Sequence, residues 1–411
     1  MINVAAKSPQ LKDTTFYPAA LNLITGSKYY NGAGGDILYL ALFAASGDSE
    51  LDKMPERIAH SVNMLYSKHN IYRNITSILN SGTTENASMS SRQPELFPSF
   101  WCSYFAKIRR DVDLLLRLQI PDPLLTIRFL IILLNFHLSQ YVIRRCIANK
   151  DLCKECVKKS DTEDCRPIVL LSFCNAISDK SQEQYRRHVQ TIRSRLASNV
   201  ERNVRKLADK TAADSIDKIL EALAEEKNGF AKKQQTGSRF IKKMKEAELH
   251  TDASPVEKVS DAISRFYGRD RRQIDAIARL YSIQGGGAGL VAPKFSRYKR
   301  YVMESDLLET LAYVGIAKHR VERLAVDDLL KWWHREYGLV IGRPFVSSQA
   351  EVEALRIAFG REINEDILRE NYRAFEELLV KTGILQKFSD ATAMVVNRYK
   401  IEGVENAKKE F

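Results

Sequence analysis

A chain of 411 residues, 45% hydrophobic and 28% charged, can bury two or three cores, which excludes wholesale disorder. A formal net charge of +12 and a pI near 9.3 favour a polyanionic partner, with nucleic acid the commonest and an anionic membrane the alternative. Seven dispersed histidines without a His-x3-His, His-Asn-His or Glu-x2-His arrangement, and no Gly-x-Ser-x-Gly, P-loop or dinucleotide fingerprint, exclude the familiar catalytic motifs.

From Asp36 to about Asn149 apolar residues recur every three or four positions. The pattern predicts helices over 36–45, 54–67 and 100–118, interrupted by Gly32-Ala-Gly-Gly35 and the polar loop 80–91. The N-terminus is neither Arg-rich nor followed by a signal-type apolar core, so the expectation is a cytoplasmic protein. Pro121-Asp-Pro123 opens the most apolar stretch, Leu124 to Leu138. Arg128, Asn135 and His137 break it before it reaches about twenty apolar residues, so it reads as a buried helix and not a membrane span.

Five of six cysteines then fall within 146–174. Cys153 and Cys156 form a Cys-x2-Cys pair, with Cys146 upstream and Cys165 downstream. Four thiolates so spaced can converge on one tetrahedral Zn2+, which accepts soft ligands at about 2.3 Å, in a closed structural site. His137 or Cys174 can stand in as fourth ligand, although Cys174 closes the apolar run from Ile168 and reads equally as a buried thiol. An iron–sulfur cluster takes the same ligands, and scattered reduced cysteines are the bland alternative.

Between Ser181 and Lys210 eight basic residues face three acidic ones, and a second basic stretch runs from Lys232 to Lys245. A solvated helical face and phosphate contact fit both runs equally well. The most basic region lies between Arg265 and Arg300. It holds Arg265, Arg269, Arg271, Arg272, Arg279, Lys294, Arg297, Lys299 and Arg300, with Phe266, Tyr267, Tyr281, Phe295, Tyr298 and Tyr301 interleaved. Cations plus stacking surface are a DNA-binding combination. Gln284-Gly-Gly-Gly-Ala-Gly289 in its centre lacks the Gly-Lys-Ser/Thr ending of a P-loop and reads as a flexible turn.

Two amphipathic helices end at glycine, from Glu304 to Gly315 and from Val326 to Gly338, and a third runs from Asn364 to Thr382 before Gly383. Trp332-Trp333 in the second reads as one core residue beside a partly exposed neighbour. Residues 384–388 and 393–399 read as a hairpin, which completes the winged-helix order. In that fold Arg369, Arg373, Lys381, Lys387 and Arg398 are the residues placed towards DNA, but the third helix is acidic and fits protein docking equally.

The expected architecture is mainly α. It comprises a helical N-terminal domain over 1–145, a Cys-rich zinc knuckle and short strand over 146–175, a basic helical region over 176–300, and a winged-helix-like domain over 301–411. From Cys146 to Tyr399 the order of knuckle, short strand (Pro167 to Phe173), basic helices and winged-helix-like segment resembles the accessory G-type subunit of bacterial phosphorothioation-dependent restriction, an anti-phage defence system. The resemblance implies a non-enzymatic adaptor that engages DNA beside an ATPase, helicase or nuclease subunit, and it transfers no catalytic residue. A metal-dependent nuclease with an unrecognised site, and a scaffold that touches protein alone, are the alternatives.

Overall fold

Buried backbone must find hydrogen-bond partners, and in this chain six consecutive amides find theirs in four separate stretches of sequence. The computed structural model describes residues 103–147, 167–225, 253–269, 274–342 apart from 295, 365–387 and 393–402, with single helical positions between 38 and 68. Helix accounts for 71% of the described residues, so the chain is mainly α as expected. It divides into two compact units, Met1–Arg186 with Leu280–Phe411, and Arg187–Arg279.

The elements in chain order are α1 (Ser103–Leu116), β1 (Leu118–Gln119), α2 (Pro123–Ile147), β2 (Val169–Leu170), α3 (Asn175–Thr211), α4 (Ile216–Glu225), α5 (Pro255–Arg269) and α6 (Ile274–Ala288). There follow β3 (Val291–Ala292), β4 (Arg300–Tyr301), α7 (Ser305–His319), β5 (Arg323–Ala325), α8 (Val326–Tyr337), β6 (Leu339–Val340), α9 (Glu365–Thr382), β7 (Leu385–Lys387), β8 (Ala393–Val396) and β9 (Lys400–Ile401). The predicted helices before residue 68 fall almost wholly outside the described residues.

In the larger unit α7 is buried on every side from Leu307 to Ala317, save Glu309, which marks it as the central helix; α1, α2, α8 and α9 pack on it. The sequence predicts that α7 stops at Gly315. It continues to His319 and closes on Arg320, whose φ is 54°. Gly315 serves packing: a Cβ there would lie 2.7 Å from Leu329 Cδ1 and 3.2 Å from the Trp332 ring, so hydrogen alone lets α8 approach. Trp332 and Trp333 are both buried, against the expectation of one partly exposed, because α8 lies between α7 and α9 and offers an inner side to each. The stops at Gly338 and Gly383 are as predicted, with φ of 71° and 70°.

The glycine run at 284–289 also corrects the sequence reading, since Gly285 to Gly287 lie in the last turn of α6. A Cβ on Gly285 would meet Val291 Cγ2 at 2.7 Å and Ser139 Oγ at 3.4 Å, and one on Gly287 would meet Asn135 Nδ2 at 3.3 Å. The close approach of α6 to α2 offsets the helix-propensity cost of about 1 kcal/mol per glycine. Within α2, residues Pro123–Arg144 are long and apolar enough to cross a membrane, but 83% of their most apolar window is buried inside the protein, as a core helix requires.

The predicted strand from Pro167 to Phe173 pairs only at β2, in parallel with β6. Its amides are satisfied one after another. Val169 N donates to Gly338 O (2.8 Å), Leu170 N to Gln184 Oε1 (2.7 Å), Leu171 N to Val340 O (2.9 Å) and Ser172 N to Tyr301 O (2.9 Å). Phe173 N and Cys174 N both donate to Asn371 Oδ1, at 2.7 and 3.2 Å. Asn371 is fully buried on α9, and its Nδ2 returns two bonds, to Leu171 O (2.9 Å) and Ile341 O (2.6 Å).

At the C-terminal end β5, β8 and β7 form an antiparallel three-stranded sheet in that spatial order, with β7 and β8 as the predicted hairpin. The chain order α7, β5, α8, α9, β7, β8 adds a strand that the sequence pattern does not reveal. Lys400–Ile401 returns to pair with Leu118–Gln119, so the first described helices and the last strand belong to one unit.

In the smaller unit α4 packs on α5 through an apolar side that includes Ile219, Ala222, Val259 and Ala262. A capping box starts α5: Glu257 N donates to Ser254 Oγ (3.3 Å), and Ser254 N donates to the Glu257 carboxylate (2.9 Å).

Asn371→Asp keeps the acceptor for Phe173 and Cys174 but replaces the donor with a carboxylate oxygen facing two carbonyls. The variant is expected to lose about 2–4 kcal/mol at pH 7, read by denaturant unfolding, and to recover part of it at low pH when the carboxyl is protonated.

Candidate functional site

The basic, aromatic-interleaved region ends in one hairpin. β3 and β4 pair antiparallel, Val291 with Tyr301 and Ala292 with Arg300, and the described residues 293–294 and 296–299 form its tip. The base is fixed by the second strand. Tyr301 N donates to Ser181 Oγ (2.9 Å), whose hydroxyl donates to Tyr301 O (3.0 Å), the oxygen that also accepts from Ser172 N. The Tyr301 hydroxyl bonds that of Tyr281, and Tyr185 stacks on Tyr281 (6.0 Å, 13°) while meeting Tyr301 edge-on (5.5 Å). Burial pushes both the Tyr281 and Tyr301 phenols above their usual pKa, so the base of the hairpin is a neutral, packed aromatic cluster.

The tip carries the charge. Lys294 and Arg297 are exposed, Lys299 and Arg300 half-buried, and among the described residues no carboxylate pairs with any of them. Lys294 lays its stem on α6, its Cγ 3.5 Å from where a Gly286 Cβ would stand. Lys299 Nζ donates to Ser282 Oγ (2.6 Å), and partial burial holds its ammonium below the usual pKa. Tyr298 is 53% exposed, with the Arg297 guanidinium 5.1 Å from its ring centroid and donating to its hydroxyl at 3.0 Å. Four of the predicted DNA-binding residues, Lys294, Arg297, Lys299 and Arg300, thus come together.

Of the others, Arg265 and Arg269 lie on α5, and Arg271 and Arg272 lie outside the described residues. Lys387 and Arg398 are engaged within the fold. Lys387 Nζ is 3.5 Å from Glu376 Oε2, and the Arg398 guanidinium donates to Thr382 O (3.1 Å) and Gly383 O (2.7 Å), satisfying carbonyls at the end of α9. On α9 itself Glu365, Asp366, Glu370, Glu376 and Glu377 outnumber Arg369, Arg373 and Lys381.

Of the cysteines proposed for zinc, Cys153, Cys156 and Cys165 lie outside the described residues, and Cys146 stands half-buried in the last turn of α2. Among the described residues no three His, Cys, Asp or Glu side chains converge as a metal site. Cys174, half-buried, packs against the cluster of Leu170, Ile177, Val340 and Leu368.

The alternative ligand His137 is committed elsewhere. Its Nδ1 lies 2.9 Å from Tyr104 Oη, and its Nε2 lies 3.1 Å from Asp111 Oδ2, bent away from a straight hydrogen bond. Tyr337 Oη donates to the same Asp111 oxygen at 2.7 Å. Lys107 pairs with Glu336 and lies over the Tyr337 ring, so the network joins α1, α2 and α8. Burial opposes ionisation of Asp111, but the His137 bond and the Lys107 ammonium hold its carboxyl below the usual value. A carboxylate only accepts, so the His137 proton sits on Nε2 and Nδ1 accepts from Tyr104. With side-chain exposures of 0% for His137 and 5% for Asp111, these groups are out of reach of a substrate and act as a polar joint. No sequence spacing announces this joint, because its partners stand as many as 226 residues apart.

Residues 169–399 match the profile of a protein family described as methylation-associated defense system protein MAD7. The match begins at β2 and takes in the hairpin and the three-stranded sheet. No curated protein and no solved structure matches the chain.

Burial holds the His137 imidazole below its usual pKa of 6.5. Below about pH 6.5 the unfolded chain therefore takes up a proton that the folded chain refuses, and the stability present above that pH falls as the solution is acidified. His188, pushed by burial down to about 4, acts with the same sign. The unfolding midpoint should drop between pH 7.5 and 5, and His137→Gln should lower the midpoint at pH 7.5 while flattening this dependence.

Proposed function

The chain belongs to the MAD7 family of methylation-associated defense system proteins, and from this premise we propose that it is a non-catalytic subunit that engages DNA beside an ATPase, helicase or nuclease of the same system. Family membership makes it a defence-system component that acts with other defence proteins. The kinship expected with the G-type subunit of phosphorothioation-dependent restriction holds here as shared membership of anti-phage defence, with methylation named in this family's description.

The observation that carries DNA engagement is the hairpin tip, where Lys294 and Arg297 project, with no carboxylate partner among the described residues, beside an exposed tyrosine. Unpaired surface cations release counterions from a phosphate backbone, whereas paired ones offer little. The C-terminal order α7, β5, α8, α9, β7, β8, with β8 between β5 and β7, favours a winged helix. Its acidic α9 opposes phosphate, and the cations of its hairpin are spent on Glu376 and on the end of α9, so this subdomain docks protein. In the cysteine segment, Cys146, Cys153, Cys156 and Cys165 would hold a structural zinc that clasps the end of α2 to β2, since Cys174 and His137 are engaged elsewhere.

DNA affinity should fall steeply with salt, and Lys294→Gln with Arg297→Gln should make the slope of log K against log salt shallower by about two, measured by fluorescence anisotropy on a duplex. An unchanged slope would remove the hairpin from the interface, and sustained cleavage of labelled DNA in magnesium or manganese would overturn the non-catalytic reading. Elemental analysis should find about one zinc per chain, lost together with stability in Cys153→Ser, Cys156→Ser, because binding free energy at a structural site is folding free energy. Metal-free protein of unchanged stability would make the cysteines incidental.

A further inference from the structure

Two kinds of group stand at the hairpin tip and on the helix before it. Lys294 and Arg297 are cations open to solvent, while Tyr298 at 53% exposure and Ile283 at 43% are among the most exposed large apolar side chains described. Ile283 adjoins Ser282, whose hydroxyl accepts from Lys299, the neighbour of Tyr298. A large aromatic ring left in water costs free energy, yet this one is held in place by the Arg297 guanidinium, through both its face and its hydroxyl. It is therefore oriented without being covered.

An oriented, uncovered ring flanked by cations suits a base whose own face is free. In duplex DNA each base already stacks on its neighbours, so the ring would gain nothing from it. In a single strand the bases are available, and the phosphates on either side fall within reach of the cations. Helix α9 speaks against groove reading, since in the place of the helix that a winged helix lays in the major groove it carries five carboxylates. We propose that the β3–β4 tip binds single-stranded DNA, with one base stacked on Tyr298 and adjoining phosphates at Lys294 and Arg297. This deepens the DNA-engaging reading and rests on it. A subunit of this kind meets DNA where the strands have been separated, as they are beside a helicase.

The test uses the full chain with a labelled oligothymidine of about 20 nucleotides and a duplex of equal length at one salt concentration. The single strand should bind more tightly. Tyr298→Ala should weaken it about 5- to 100-fold with the salt slope and the duplex affinity unchanged, because stacking and not charge is removed. Tyr298→Phe should retain most of the affinity, since the ring stays and only the bond from Arg297 is lost. The exposed position predicts an unchanged melting temperature for both variants. If Tyr298→Ala binds the single strand as the unaltered chain does, or if duplex binds more tightly than single strand, the stacking proposal is overturned while DNA engagement survives. If the unaltered chain binds neither DNA at low salt, both fall.

Discussion

The six amides from Val169 to Cys174 are the constraint on which the larger unit depends. Burying an extended segment leaves every N–H in need of an acceptor, and each unmet one costs about 1–3 kcal/mol. Here the acceptors come from β6 and the glycine before it, from Gln184 on α3, from Tyr301 on the hairpin and from Asn371 on α9. One short stretch of backbone thus requires three distant pieces of chain and the helix that follows it to arrive together. Asn371 completes the set by donating as well as accepting, so all four of its hydrogen-bonding positions are used inside the core.

That arrangement explains how a site on a short hairpin can be well positioned. β3 and β4 are two residues each, too short to be stable as an isolated hairpin. Tyr301 is gripped at its amide, its carbonyl and its ring, and the charged tip therefore extends from a fixed base. Neutral tyrosines below and cations above keep packing and charge in separate layers, so the exposed groups can be altered without disturbing the core.

What the sequence discloses follows from the range of the interactions. Helices α8 and α9 and the hairpin of β7 and β8 are legible because their signals are local: periodic apolar residues, acidic first turns and glycines at Gly338 and Gly383. The basic hairpin tip is legible as composition, four cations within seven residues. Gly315 and the run Gly285 to Gly287 mislead because a glycine admitted for close packing looks like one placed to end a helix. The parallel pairing of β2 with β6 and the joint of Asp111, His137 and Tyr337 leave no local trace, since their partners lie 170 or more residues away except for His137 itself. Charge also needs the structure before it can be read. Lys387 and Arg398 count towards the net charge of the sequence, but in the fold one faces Glu376 and the other closes a helix.

Gly315 sets the spacing of more than one helix pair. Because backbone of α7 touches Leu329 and Trp332 directly, the position of α8 is referred to the central helix without an intervening side chain. From α8 the same reference passes to Glu336 and Tyr337, which meet α1, and then to β6, on which the amides of the 169–174 segment are registered. A methyl group added at Gly315 would therefore act as a dimensional error at a datum, displacing parts of the molecule that never touch it.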